Sequence, residues 1–250
     1  MEPHSPDDTQ SSLSAQGSDP GQPCVMLVVA AGKGQRFGAP LPKQYCTLGG
    51  KPLLLHTLQH LHDHPAVNAI LPIISREDVH FGTLSGDLAA MPKVLAPVFG
   101  GKKRQDSVYQ GLKSLKLPPE AWVGIHDAAR PLVSLALLDR LLAARSLADA
   151  LIPALPPSDT VKLTDGSEVV HSTLDRARIR LVQTPQLFRF GLILEAHAHA
   201  RQCNFQGTDD ASLVELMETP VHCIPGDPWN LKITHPQDLG LAELLLQGAL

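Results

Sequence analysis

Seven residues, Val25 to Ala31, read V-M-L-V-V-A-A and run straight into Gly32-Lys33-Gly34. A strand of this composition has no polar alternation and so no face suited to water. It fits a parallel sheet covered by helices on both sides, and the chain that follows supplies both kinds of element. Leu54, Leu55, Leu58 and Leu61 fall at helical spacing, and Ala69–Ile74 forms a second apolar strand whose Pro72 points to an irregular or edge position. Tyr45–Leu48 reads as a short extended piece turning at Gly49-Gly50, and Lys93–Pro97 as a weaker strand. Val108, Leu112 and Leu115 mark a helix starting near Arg104, Trp122–Ile125 a strand, Leu135–Arg145 a helix capped by Ser134, and Ala148–Ile152 a further strand. The rhythm predicts an α/β fold with a doubly wound, mostly parallel, Rossmann-like sheet.

Three segments depart from that rhythm. Residues 1–22 carry almost no apolar side chains and read as a disordered tail, which leaves 23–250 as a single domain. Residues from about 155 to 178 begin with prolines and then show Thr160-Val-Lys-Leu, Asp165-Gly166 and Val169-Val170, a hairpin signal with a D-G turn. With no core of its own, this hairpin is expected to be an arm that packs on another subunit. Further on, the spacing predicts a helix around Leu192 and Leu194, another starting at Thr208-Asp209-Asp210, a strand at Val221–Ile224 and a closing helix at Pro236–Leu246.

No apolar run is long enough to span a membrane, and the net charge of −4 argues against general nucleic-acid binding. The four cysteines lack C-x-x-C spacing and read as reduced thiols of a cytoplasmic protein. The clustered His56, His60, His62 and His64 read as a solvated helix end.

Positive charge is concentrated in loops. In Ala30-Ala31-Gly32-Lys33-Gly34-Gln35-Arg36 the glycines let backbone N–H groups approach an anion, and Arg36 and Lys43 add cations suited to a triphosphate. The loop is neither a Walker loop nor a dinucleotide fingerprint, since Phe37 stands where the last glycine belongs. Gly101-Lys102-Lys103-Arg104-Gln105-Asp106-Ser107 offers a helix start, with Ser107 able to reach a base or ribose. Asp127, in His126-Asp127-Ala128-Ala129-Arg130-Pro131, ends a buried strand, where a carboxylate needs Mg²⁺, Arg130 or a ligand hydroxyl beside it. His126 reads as a packed strand-end residue. Arg176 and Lys232 are distant cations to which spacing alone gives no role. In sheets of this kind, ligands sit beyond the carboxyl ends of the strands, the edge shared by the Gly32 loop and Asp127.

The ordered set A-A-G-K-G-Q-R-F, L-P-K-Q-Y, G-G-K-K-R-Q-D-S-V, H-D-A-A-R-P, D-T-V-K, T-L-D-R, Q-T-P-Q, T-D-D-A-S and N-L-K-I-T-x-P-x-D-L resembles the 2-C-methyl-D-erythritol 4-phosphate cytidylyltransferase family over about residues 24–248. The resemblance implies a nucleotidyltransferase fold, CTP as co-substrate, Mg²⁺, and a cytosolic homodimer with exchanged β-arms. It implies catalytic roles for Arg36, Lys43, Arg176 and Lys232, with Arg176 donated by the partner's arm. Nucleotide contacts would come from Ala30, Ala31, Gly32, Gly34, Gly101, Arg104, Ser107 and Ala128. Asp127, Arg130, Thr160 and Thr184 would face the sugar phosphate, and Asp127 the metal. The chain departs from the family where Gln35 replaces a second basic residue of some members and where Lys102 and Lys103 replace acidic ones. Three other readings stand beside this one: a cytidylyltransferase for ribitol 5-phosphate or another alditol phosphate, a nicotinamide dehydrogenase, and a non-catalytic nucleotide-binding regulator.

Overall fold

The structure is a computed structural model that describes residues 22–32, 37–38 and 41–248. The predicted tail, apart from Gln22, and Lys33, Gly34, Gln35 and Arg36 therefore lie outside the described residues.

In chain order, strand β1 is Cys24–Val29, followed by a short hairpin of β2 (Thr47–Leu48) and β3 (Lys51–Pro52), helix α1 (Leu53–Asp63) and β4 (Ala69–Ile74). Then come α2 (Ser85–Leu88), β5 (Val98–Phe99), α3 (Arg104–Ser114), β6 (Trp122–Asp127), α4 (Leu135–Ala143) and β7 (Ala150–Leu155). The chain finishes with β8 (Lys162–Thr164), β9 (Val170–Thr173), β10 (Leu181–Val182), β11 (Gln186–Arg189), α5 (Phe190–Gln202), α6 (Ala211–Glu215), β12 (His222–Pro225) and α7 (Pro236–Leu246).

The main sheet runs β10-β7-β11-β6-β1-β4-β5, with β12 also paired to β7. β1 is parallel to both its neighbours, β4 and β6. Side chains of β1 alternate between two cores, as the unbroken apolar run requires. Met26 and Val28 pack with Leu54, Leu58, Leu137 and Leu141 of α1 and α4. Val25 and Leu27 pack with Val108, Leu112 and Ile193 of α3 and α5. The chain leaves β1 toward β4 and β5 on one side, then returns to place β6 on the other. That reversal opens a crevice at the carboxyl ends of β1 and β6.

Several expectations need correction. Pro72 lies within the ladder of β4, opposite Val28, and not at an edge. Ile70 and Ile74 bond to the chain on the β5 side. Strand parity turns Pro72 the same way, toward a stretch with no ladder between Val94 and Val98, so its missing N–H costs nothing. The weak strand expected at 93–97 is a single bridge at Val94, and the paired segment is β5. Lys43–Tyr45 forms a 3-10 turn before β2. β11 was not anticipated; it is antiparallel to both β6 and β7.

The predicted hairpin is present as β8 paired to β9, but its turn is longer than a two-residue D-G connection. Asp165 N–H donates to Val169 C=O, Glu168 N–H donates to Asp165 C=O, and Glu168 takes φ 65°. This is a three-residue loop with its left-handed position at Glu168. His64 is not solvated: it is buried, with Nε2 3.1 Å from Asp139. The four cysteines are free thiols.

Candidate active site

A cleft of about 1080 Å³ opens at the predicted sheet edge, walled by Ala30–Gly32, Lys43, Gln44, Ser75–Glu77, Gly100–Arg104, Ser107, Asp127–Ala129, Lys232 and Thr234. Ten of the predicted site residues share it: Lys43, Lys232, Ala30, Ala31, Gly32, Gly101, Arg104, Ser107, Asp127 and Ala128.

Each wall is held by the local fold. Ala30 N–H donates to Ile73 C=O at 2.8 Å and Ala128 N–H to Val29 C=O at 3.2 Å, so both loops continue the parallel ladder just beyond the strands. The Gly100-Gly101 turn folds over the start of α3, where Gly101 N–H donates to Ser107 Oγ at 3.1 Å. A Cβ on Gly100 would stand 2.6 Å from Ser107 Oγ and 2.8 Å from Ala31 Cβ, so only glycine fits there. Buried Gln44 donates from Nε2 to Ala30 C=O at 2.7 Å and ties the Pro42-Lys43-Gln44 turn to β1. The same turn aims Lys43, whose Nζ donates to Ile233 C=O at 2.6 Å.

Asp127 forms the floor. Arg104 Nε donates to its Oδ1 at 3.0 Å, and Lys232 Nζ donates to its Oδ2 at 2.6 Å. Burial pushes the carboxyl upward, but the two cations outweigh burial and hold it well below the ordinary carboxylate range. Asp127 is therefore a carboxylate at neutral pH, and it keeps Lys232 directed into the cleft. The Asp127–Arg130 pairing considered from sequence is not its anchor.

Arg130 and Thr184 lie behind the floor and do not line the cleft. Arg130 NH1 donates to Asn230 C=O at 2.6 Å, and Ile233 N–H donates to Ala129 C=O at 2.8 Å, which docks the 230–234 segment against the end of β6. Thr184 Oγ1 accepts from Asp127 N–H at 3.1 Å and lies 3.1 Å from His126 Nδ1. His126 Nε2 lies 3.2 Å from Arg130 C=O. Burial lowers its pKa to about 4, so the ring is neutral and serves as packing and hydrogen-bond support. Thr160 and Arg176 belong to the exposed arm, where Arg176 NH1 donates to Ser158 C=O at 2.8 Å. Within one chain they do not reach the cleft.

Sequence reasoning assigned no role to Gln44, Asn230, Asp210 or His197. Gln44 and Asn230 lie within two residues of the predicted Lys43 and Lys232, and a buried amide close in sequence to a predicted site cation is the signal that was available. Among the described residues no group of three or more His, Cys, Asp and Glu is arranged as a metal site. Asp127 alone fits a cation that brings most of its own ligands: the two donors above leave lone pairs on its oxygens, and Mg²⁺ is commonly held by one carboxylate together with substrate phosphates and water.

A family model described as 2-C-methyl-D-erythritol 4-phosphate cytidylyltransferase matches residues 24–248. A protein of that name from Syntrophus aciditrophicus is 42% identical, over 89% of this chain and 95% of its own length. The bifunctional enzyme IspD/IspF of Nitrobacter winogradskyi is 40% identical over 90% of this chain, which spans only 56% of that longer relative. The crystal structure of 2-C-methyl-D-erythritol 4-phosphate cytidylyltransferase from Thermus thermophilus superposes with a TM-score of 0.72 at 37% identity, covering 90% of this chain and 99% of its own.

Proposed function

The chain belongs to the 2-C-methyl-D-erythritol 4-phosphate cytidylyltransferase family, and from that premise we propose that its cleft transfers CMP from CTP to 2-C-methyl-D-erythritol 4-phosphate. The products are the 4-CDP-alcohol of isoprenoid precursor synthesis and pyrophosphate. The observation that carries the reading is the convergence of Lys43 and Lys232 on one cleft floored by an ionised, doubly paired Asp127.

A phosphate oxygen of the sugar phosphate forms the new bond to the α-phosphorus of CTP. The bond from that phosphorus to the bridging oxygen breaks, and pyrophosphate leaves with the electron pair. The attacking phosphate, with a second pKa of about 6, is already largely dianionic at neutral pH, so no side chain need accept a proton. The barrier lies in alignment and in bringing two anions together. Lys43, with Arg36, which lies outside the described residues, stabilises charge on the α-phosphate and the leaving pyrophosphate. Lys232, held by Asp127, faces the attacking phosphate. Ala30–Gly32, Gly101 and Ser107 form the nucleotide wall, where backbone comes close enough to meet base and ribose. Mg²⁺ held by Asp127 would supply charge neutralisation on the phosphates.

The remaining elements of the reading concern assembly and place. The arm of one copy reaches a second copy, so that Arg176 and Thr160 complete the partner's sugar-phosphate side in a homodimer. The exposure of Leu163, Val169 and Val170 on the hairpin supports that arrangement. The four free thiols support a cytoplasmic setting. Pyrophosphate release measured with CTP, UTP, ATP and GTP, each with 2-C-methyl-D-erythritol 4-phosphate or ribitol 5-phosphate, tests the reaction. CTP with the methylerythritol phosphate is expected to be fastest. Preference for ribitol 5-phosphate, or no release at all, would refute the proposal.

A further inference from the structure

Behind the cleft, Asp127 and Lys232 are continued by a chain of polar groups, Arg104, Asp210 and His197, to which the reaction above gives no role. Arg104, at the first turn of α3, reaches Asp127 with Nε and donates from NH1 to Asp210 Oδ2 at 2.6 Å. Asp210 immediately precedes α6, and its other oxygen lies 3.2 Å from Nε2 of His197 on α5. Neither residue lines the cleft, and their exposures are 1% and 0%. A carboxylate this deep is costly unless fully paired, and the surrounding fold supplies the pairing.

The backbone of Asp210 is fixed independently of its carboxylate. The N–H groups of Asp210 and Ala211 both donate to Gln186 Oε1 at 3.1 Å. The His197 ring stacks on Tyr109 of α3, with centroids 6.1 Å apart and planes within 5°. Its Nδ1 is buried without a partner, so the ring's polar attachment in this structure is the bond to Asp210. Imidazole, carboxylate, guanidinium, carboxylate and ammonium thus alternate from the core of the molecule to the wall of the cleft.

A guanidinium beside a polyphosphate cleft has a competing partner in the phosphates themselves. Secured by Asp127 alone, Arg104 would turn toward CTP and pyrophosphate and release Asp127. Such attraction acts on substrate and product alike, which lowers KM without raising kcat. We propose that Asp210, backed by His197, is a positioning residue that anchors Arg104 behind Asp127, so that Asp127 stays oriented toward Lys232 and pyrophosphate is not clamped. The inference rests on the cleft being the CTP site.

The test compares the full chain with its Asp210→Asn variant in steady-state turnover of CTP and 2-C-methyl-D-erythritol 4-phosphate, with added pyrophosphate as inhibitor. The expected result is a kcat lower by roughly tenfold, a lower KM for CTP and pyrophosphate inhibition tighter by about fivefold. His197→Phe keeps the stacked ring and removes only the donor to Asp210; it is expected to show the same split at smaller size. If Asp210→Asn fails to fold, as judged by loss of a cooperative melt, His197→Phe decides by the same criteria. A fall in kcat with KM and pyrophosphate inhibition unchanged would mean that the pair supports the fold only, and the inference is lost. So it is if nothing changes. Wild-type turnover in the same assay keeps this outcome separate from failure of the functional reading.

Discussion

At the residue scale, the site works by deciding which charge faces which. Lys43 is braced by Ile233 C=O at 2.6 Å and lies on the cleft wall. Lys43→Ala should lower kcat by about 10²-fold or more, the loss typical of one charge-stabilising donor, with a melting temperature close to wild type. Near-normal turnover would remove Lys43 from the reaction. His126 makes a prediction about stability. Its pKa is about 4 in the folded protein, against about 6.5 for an unfolded chain. Between those values the unfolded chain binds a proton that the native state refuses, so stability is complete above about pH 6.5 and falls as pH drops toward 4. The loss should be roughly 3 kcal/mol across that window, at about 1.4 kcal/mol per pH unit. Urea unfolding at pH 7 and pH 5 should show about 2 kcal/mol of it, and the difference should shrink in His126→Gln. Sequence reasoning named Lys43 and Asp127 because each sits in a short motif with a chemical rationale, whereas Lys232 gained a role only through the family resemblance. Beside Mg²⁺ or a ligand hydroxyl, it offered Arg130 as a partner for Asp127 because the two are neighbours in sequence. The fold instead pairs Asp127 with residues 23 and 105 positions away, and Asp210 with His197 across two helices, and no local pattern announces such meetings.

At the element scale, packing and caps set the cost of change. Ser134 Oγ accepts from Leu137 N–H at 3.2 Å and donates to Asp227 at 2.6 Å, so Ser134→Ala should cost about 1 to 2 kcal/mol in denaturant unfolding. Gly111 lies where α3 crosses the sheet, and a Cβ there would stand 2.6 Å from Ile73 Cδ1 and 2.8 Å from Leu27 Cδ2. Overpacking of about 1–3 kcal/mol should exceed the helix preference of about 1 kcal/mol for alanine, so Gly111→Ala should be destabilising despite its helical position. The arm turn predicts the opposite sign: glycine fits φ 65° at Glu168 without strain, and Glu168→Gly should stabilise the hairpin by up to about 1 kcal/mol. Amide exchange of β8 and β9 reports that gain. The parallel strands β1, β4, β6 and β12 and helix α7 were legible from apolar runs and from Pro236, while β5 was expected a few residues too early. β11 was not, because its four residues begin with buried Gln186 and end with Arg189, and only the flanking strands explain why they pair.

At the scale of the whole molecule, the arm is the part with no core of its own. Leu163, Val169 and Val170 are 47%, 61% and 55% exposed, and a lone two-stranded hairpin is marginal in water. Sedimentation should therefore report a dimer. Arg176→Ala should leave the mass unchanged and mainly weaken use of the sugar phosphate. A monomeric wild type with full activity would show that the arm has no part in the site.

The cleft is also assembled from pieces far apart along the chain. Asp127 waits for Lys232, which lies 105 residues downstream. At roughly 5–20 residues per second, a ribosome needs about 5 to 20 s to make that stretch. Throughout that interval the growing polypeptide holds a carboxylate with half its counter-charge missing. The nascent enzyme is therefore expected to be chemically silent until Lys232 has been made and has cleared the ribosome.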